Sequence, residues 1–221
     1  MNLNYGIELE FFVKESKTDK IIPAYKATNN LDGNPVIGEI KTNIHNNIID
    51  CIFELKKLLY IQKTSLERQG FELCIINEIT VDNDFLKNLR QDQYYVNNKE
   101  LEILKEFSIY NNKTGKILPR NKYKASLQLN ISCNKSFTIT KYNKITIEDK
   151  SKYEESYEDK KYSNVFNYVD IIKKLDNIFK QEITDSKRVK GVYAIKNGEL
   201  GDRVEYRSLP NTIALDKLLN I

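Results

Sequence analysis

The chain has 221 residues, with 35 Lys+Arg against 31 Asp+Glu, one His, three Cys, no Trp and 40% hydrophobic residues. That length suits a single domain over residues 1–221 with a substantial buried core, which excludes a wholly disordered protein. With His45 the only imidazole, HExxH zinc hydrolysis, His-rich metal cages and paired-histidine phosphoryl chemistry are excluded, so any metal must rest mainly on carboxylates.

In chain order, Tyr5 to Val13 alternates apolar and polar residues and is predicted to be a strand. The turn signal Asn30-Leu31-Asp32-Gly33-Asn34-Pro35 leads into a second strand over Val36 to Thr42. From Ile44 to about Arg68 the apolar residues Ile48, Cys51, Ile52, Leu55, Leu58, Leu59 and Leu66 recur at helical spacing, and Gly70 stops the helix. Phe71 to Ile79 returns to strand character, while Gln91 to Tyr123 is polar, Tyr-rich and unassigned. Ala125 to Cys133 alternates clearly, Phe137 to Ile147 reads as a hairpin, and Lys141 to Lys161 as a charged surface loop. A second helix is expected over Val165 to Ile183. The strands Arg188 to Lys196 and Asp202 to Leu209 flank the turn Asn197-Gly198-Glu199-Leu200-Gly201, and a short helix follows Pro210. Strands joined by hairpins and interrupted by two long helices predict an antiparallel α+β fold.

Three remaining features bound the class. Cys51, Cys74 and Cys133 are scattered and odd in number, so neither a zinc site nor a disulfide framework follows, and all three are expected in the core. No segment approaches the roughly 18 apolar residues of a membrane span and no secretory pattern opens the sequence, so a soluble cytoplasmic protein is expected. The +4 net charge does not make a nucleic-acid surface, because the basic residues alternate with acidic ones, and no nucleic-acid partner is expected.

Chemistry concentrates on three strands. In Ile7-Glu8-Leu9-Glu10-Phe11 both carboxylates project from one face, roughly 7 Å apart, and the apolar residues from the other. Like charges so close become comfortable beside a divalent cation, and hard Mg2+ favours such oxygens. Taken alone, this pattern also suits a solvated acidic face. Leu127-Gln128-Leu129-Asn130-Ile131-Ser132 repeats the arrangement with amides, which can both donate and accept within a polar site. Arg203, Glu205 and Arg207 share the third face, either as a self-neutralising ladder or as one metal carboxylate between two guanidinium forks suited to phosphate. Asp32 and Glu39 bracket the Gly/Pro turn and join the candidate set.

These residues resemble the glutamine synthetase superfamily, and more closely its small phage-type amidoligases, the carboxylate-amine ligases. Tyr5-Gly6-Ile7-Glu8-Leu9-Glu10-Phe11-Phe12 resembles the ExEFF strand. Asp32-Gly33 with Gly38-Glu39-Ile40-Lys41-Thr42 resembles the D-x-x-G...GEIRT segment. Gln128-Leu129-Asn130-Ile131-Ser132 falls where the superfamily has HxHxS, and Gly201 to Pro210 resembles the terminal RxExR strand. Two histidines of the family pattern are thus amides here, at Gln128 and Asn130, and Lys41 stands where the related segment often has Arg.

The resemblance implies a curved antiparallel sheet with helices on its outer face, an ATP site on the concave face, and Mg2+, with Mn2+ as an alternative ion. By matched position it implies Glu8, Glu10, Glu39 and Glu205 as metal ligands, with Asp32 beside them. Arg207 becomes a phosphate contact and Arg203 an anion or substrate contact. Arg188, Asn130 and Gln128 are further candidates for the nucleotide site. The implied reaction joins a small-molecule or peptide carboxylate to an amine through an acyl phosphate. A Mg2+-dependent phosphoesterase or nuclease, and a non-catalytic protein on a ligase-like scaffold, are the competing readings. The acid, the amine and the oligomeric state are left open.

Overall fold

The computed structural model describes residues 3–32, 36–86, 108–111, 116–119, 121–133, 168–196 and 203–221. The expected hairpin over 137–147, the charged loop over 141–161, the turn over 197–201 and most of the 91–123 stretch lie outside these residues. In chain order the strands are β1 (Leu3–Glu15), β2 (Ile21–Ile22), β3 (Gly38–Lys41), β4 (Phe71–Cys74), β5 (Glu78–Thr80), β6 (Ser108–Asn111), β7 (Lys116–Pro119), β8 (Lys122–Lys124), β9 (Ser126–Cys133), β10 (Tyr193–Lys196) and β11 (Arg203–Pro210). The helices are α1 (Ile48–Arg68), α2 (Tyr168–Ile178) and α3 (Lys180–Asp185), and a 3-10 turn covers Leu215–Asn220.

Alternation in β1 dictates the architecture. Ile7, Leu9, Phe11 and Val13 point to one face, where each is at most 2% exposed, and Gly6, Glu8 and Glu10 point to the other. β1 pairs antiparallel with β2, β3, β4 and β9; β9 pairs antiparallel with β11, and β11 with β10. These seven strands form one sheet, with β5–β8 and β6–β7 as separate two-stranded pairs. The described chain is therefore a mixed fold of helices with a mostly antiparallel sheet, as its pattern predicts.

The helices cover the apolar face. Cys51, Ile52, Leu55 and Leu66 of α1 are buried in the same core as Ile7, Leu9, Phe11, Leu127, Leu129 and Ile131. Ile172 and Leu175 of α2, Phe179 between the helices, and Ile183 of α3 join it from the far end. Each such side chain contributes about 1.5–3 kcal/mol through the apolar area removed from water. The Tyr206 hydroxyl donates to Asp176 Oδ1 at 2.5 Å, tying β11 to α2 inside this core. Burial first, then this acceptor, pushes the Tyr206 phenol well above its ordinary value.

A second, smaller core begins where β1 changes character. Phe12 projects from the polar face and packs with Val36, Ile37, Ile79, Val81, Leu86, Tyr123 and Ala125. The face that carries Glu8 and Glu10 is thus polar over one stretch and closed by an apolar wall just beyond it.

Several boundaries differ from the sequence expectation. Helix α1 starts at Ile48 rather than Ile44, because the Asn47 side chain accepts the Asp50 N–H at 2.8 Å and caps the first turn. Upstream, Asn43 and His45 instead contact Glu54, through Asn43 N at 2.7 Å and His45 Nε2 at 2.7 Å. The strand expected over Phe71 to Ile79 divides in two. Asn211 Nδ2 captures the Ile76 carbonyl and Ala125 N donates to the Asn77 carbonyl, both at 3.0 Å, drawing the chain off β1 and onto β8. The second long helix is divided at Phe179, whose backbone leaves helical dihedrals. Cys51 is buried but Cys74 is only partly so. Among the described residues no helix is long and apolar enough to cross a membrane.

Gly38 faces Phe11 across the β1–β3 pair. A Cβ placed on Gly38 would lie 2.3 Å from Phe11 Cζ, and the Phe11 ring is fully buried with nowhere to retreat. Gly38→Ala should therefore destabilise the fold by about 1–3 kcal/mol. At Gly6 the nearest atom to such a Cβ is Asn130 Cβ at 3.6 Å, an ordinary contact. Urea denaturation should accordingly show a clear loss of midpoint for Gly38→Ala and a much smaller one for Gly6→Ala; equal losses would contradict this packing argument.

Candidate functional site

Cross-strand register assembles the candidate residues on one sheet face. Glu8 lies opposite Gln128 on one side and Lys41 on the other, and Glu10 lies opposite Glu39. Gly6 is opposite Asn130, and Asn130 in turn is opposite Glu205. Arg203 is opposite Ser132. Since side chains at paired positions share a face, Glu8, Glu10, Glu39, Lys41, Gln128, Asn130, Arg203 and Glu205 all emerge from the surface that α1 does not cover. Strand spacing places Glu205 about 10 Å across the sheet from β1, with Asn130 between them.

The centre is acidic. Glu10, Asp32 and Glu39 each offer a carboxylate oxygen, and these oxygens lie within 4.8 Å of one another. Asp32 arrives from the loop before β3, whose backbone clamps it there: Asp32 N donates to the Ile37 carbonyl at 3.1 Å, and Glu39 N to the Asn30 carbonyl at 3.0 Å. Asn30 is itself held from α1, its Nδ2 donating to Oε1 of the buried Gln62 at 2.7 Å.

Glu10 is 6% exposed and fixed by three donors. Ser126 N and Ser126 Oγ both reach Oε2, at 2.6 and 2.9 Å, while Gln128 Nε2 reaches Oε1 at 2.6 Å. Asn211 Nδ2 binds the Glu10 carbonyl at 3.0 Å and holds the backbone as well. Burial, helped by the Asp32 charge, nevertheless outweighs these donors and pushes the Glu10 carboxyl up to about 7. Glu39 is 4% exposed. Burial raises it to about 8, with the neighbouring Glu8 adding to the rise and Lys41 only partly offsetting it.

Glu39 Oε2 is buried, and its close charged partner is the Lys41 ammonium, whose Nζ stands 2.5 Å away. The same ammonium lies 3.9 Å from Glu8 Oε2. Two buried carboxylates directly opposed on adjacent strands oppose folding rather than support it. A cluster of hard, preoriented carboxylate oxygens within 4.8 Å of one another fits a divalent cation such as Mg2+.

The amides of Gln128 and Asn130 support this cluster. A carboxylate only accepts, so the neighbouring amide must turn its NH2 toward it. Gln128 does so toward Glu10, and Asn130 Nδ2 lies 3.3 Å from Glu8 Oε1. That orientation leaves Asn130 Oδ1 to accept Arg203 Nε at 2.8 Å, linking the acidic centre to the guanidinium on β11.

Farther along β11, Glu205 is 1% exposed and is bonded by the Arg207 guanidinium through Nε and Nη2. A bulge follows, in which Arg207 and Ser208 together oppose Gln128, so that Leu209 returns to the core face opposite Leu127. Arg188 staples this bulge. Its Nη1 donates to the Ala125 carbonyl at 2.9 Å and its Nη2 to the Arg207 carbonyl at 3.3 Å. Burial lowers the Arg188 guanidinium from its ordinary value, and the nearby Glu10 charge partly restores it. Unlike the other candidates, Arg188 thus has its two terminal nitrogens bound to backbone rather than to the acidic cluster.

Four residues that shape the site are absent from the sequence-derived set. Ser126 was within reach, being two residues before Gln128 on the same alternating face. Lys41 likewise follows Glu39 at period two. Asn211 and Gln62 carry no sequence signal, since each meets the site only through tertiary packing. No family model, curated protein or solved structure matches the chain.

Proposed function

We propose that the chain is a Mg2+-dependent, ATP-driven carboxylate-amine ligase, working on a curved sheet of the glutamine synthetase catalytic kind whose polar face receives the nucleotide. The observation that carries this reading is the buried, directly opposed Glu10–Glu39 pair with Asp32 beside it. Three carboxylate oxygens gathered within 4.8 Å of one another suit cation binding. The hydrogen-bonded chain from Glu8 through Asn130 to Arg203 supports a second, anion-binding half of the same site.

In this reading Glu10, Glu39, Glu8 and Asp32 would hold Mg2+, with Glu205 as a further carboxylate on β11. Bound Mg2+ supplies charge neutralisation at phosphate oxygens. Ser126 and Gln128 orient Glu10; Asn130 orients Glu8 and Arg203. Arg207 neutralises the phosphoryl group in transfer and Arg203 receives an anionic oxygen of the nucleotide or the acid. The apolar wall around Phe12, Val36, Tyr123 and Ala125 excludes water from the Glu10 end. Phosphoryl transfer depends mainly on such positioning and electrostatics. A substrate carboxylate oxygen takes the γ-phosphoryl group and ADP leaves; the amine nitrogen then bonds the acyl carbon, phosphate departs, and the amine gives up a proton.

Small-molecule or peptide acids and amines are the proposed partners, in the cytoplasm. The reading is tested by ADP release from Mg-ATP over a panel of amino acids and peptides. Release that requires both acid and amine is the expected result. Phosphoester cleavage without ATP would favour a hydrolase instead.

A further inference from the structure

Lys41 stands out on this face because it is a cation placed inside a cluster that would attract another one. Its Nζ lies 2.5 Å from Glu39 Oε2 and 3.9 Å from Glu8 Oε2, between the two carboxylates that its own strand and β1 present. The two acids are held tightly, their side chains 2% and 13% exposed, whereas the Lys41 side chain is 59% exposed. The anchored partners are therefore the carboxylates, and the movable one is the lysine. A four-carbon stem with its base at the surface lets the ammonium swing into solvent without disturbing the core. Glu39 Oε2 is buried, and the Lys41 ammonium at 2.5 Å is the cation that balances it.

We propose that Lys41 is a tethered counter-ion that occupies the Glu8–Glu39 position in the metal-free protein and is displaced into solvent when a divalent cation enters. The proposal rests on the cation reading given above and adds the device that regulates it. A monovalent ammonium and a hydrated divalent ion cannot share Glu39 Oε2, so each must weaken the other's hold. The lysine keeps buried like charges tolerable until metal arrives, and it lowers apparent metal affinity by the free energy of the ion pair that must be broken. Metal entry in turn frees an ammonium at the rim of the site, where it can meet an incoming anion.

Calorimetric titration of MnCl2 into the full chain tests this. Lys41→Met should bind Mn2+ at least tenfold more tightly than wild type, and Lys41→Arg, which keeps the charge, should stay within about threefold of wild type. Equal or weaker binding by Lys41→Met overturns the counter-ion role while leaving the cation site intact. Absence of Mn2+ binding in wild type and Lys41→Met alike overturns the cation reading and this proposal with it. Because Lys41→Met removes a charge that balances buried acids and can impair folding, wild type provides a second readout. Acetylation of Lys41 by an N-hydroxysuccinimide ester, followed by peptide mass spectrometry, should rise severalfold on adding MgCl2. Unchanged or reduced labelling contradicts the displacement.

Discussion

In EDTA the protein should melt at a lower temperature at pH 8.5 than at pH 5.5, and excess MgCl2 should remove most of the difference. The cause lies in Glu10 and Glu39, whose carboxyls are raised from about 4.5 to about 7 and about 8, in both cases first by burial. The folded state therefore holds these protons more tightly than the unfolded chain does. The stability they contribute is complete below about pH 4.5, and it is lost as pH rises through 7 and then 8. A tenfold difference in proton affinity between folded and unfolded chain corresponds to about 1.36 kcal/mol, so Glu10 alone accounts for about 3 kcal/mol, and the coupled Glu39 adds to the loss in the same direction. For a chain of this size that is a fall on the order of 10 °C in Tm.

Two other carboxyls act outside that window. Glu54, despite burial that alone would raise it, is drawn below its ordinary value by His45 and Asn43; Glu182 is lowered by Lys217. Their contributions are lost only as pH falls below the ordinary carboxylate range. Glu10→Gln/Glu39→Gln should flatten the alkaline fall. Scanning calorimetry at the two pH values decides the matter, and a metal-free Tm that is unchanged or higher at pH 8.5 would contradict the burial-raised carboxyls of Glu10 and Glu39.

The second large effect concerns Arg207. Glu205 grips its guanidinium through Nε and Nη2, and the bulge after it is pinned by Arg188 and by Val192, whose carbonyl accepts Arg207 N at 2.8 Å. The group is thereby oriented at a side chain 31% exposed, on the face shared with Asn130 and Arg203. An oriented charge that meets a phosphoryl group mainly in the transition state affects kcat more than substrate affinity. Arg207→Ala should lower kcat for ADP release by two to three orders of magnitude, corresponding to about 2.7–4 kcal/mol, while Mg-ATP affinity changes severalfold at most. Circular dichroism and Tm establish that the variant folds. A folded Arg207→Ala variant with wild-type kcat would remove Arg207 from the proposed phosphoryl-transfer role.

The degree to which the site is legible in sequence follows from its periodicity. Glu8 and Glu10, Gln128 and Asn130, and Arg203 and Glu205 each declare a shared face by period two, and the apolar residues between them declare a covered opposite face. Pairing register is another matter. Nothing local dictates that Glu10 stands opposite Glu39 rather than Ile40, yet that single choice creates the buried like-charge pair. The approach of Asp32 depends on a loop clamped by Gln62 from the distant α1, and the support of Glu10 depends on Asn211 from the other end of the chain. Arg188, a further candidate for the nucleotide site, shows the opposite limit: its terminal nitrogens bond the carbonyls of Ala125 and Arg207, a pairing that only tertiary packing creates. The start of α1 fails for a local reason, because apolar Ile44 fits the helical spacing while Asn47, three residues later, provides the cap. Phe12 breaks the polar alternation of β1 and in doing so announces the second core, a signal readable only once the segments that cover it are known.

The central claim is that the carboxylate face binds nucleotide through a divalent ion, and one titration addresses it most directly. ATP is titrated calorimetrically into wild type and Glu39→Gln, each with MgCl2 and each with EDTA. The expected result is saturable, one-site binding to wild type with Mg2+, loss of that binding in EDTA, and at least tenfold weaker binding to folded Glu39→Gln with Mg2+. Absence of ATP binding by wild type with Mg2+, or binding that ignores both the metal and the Glu39 substitution, would contradict it.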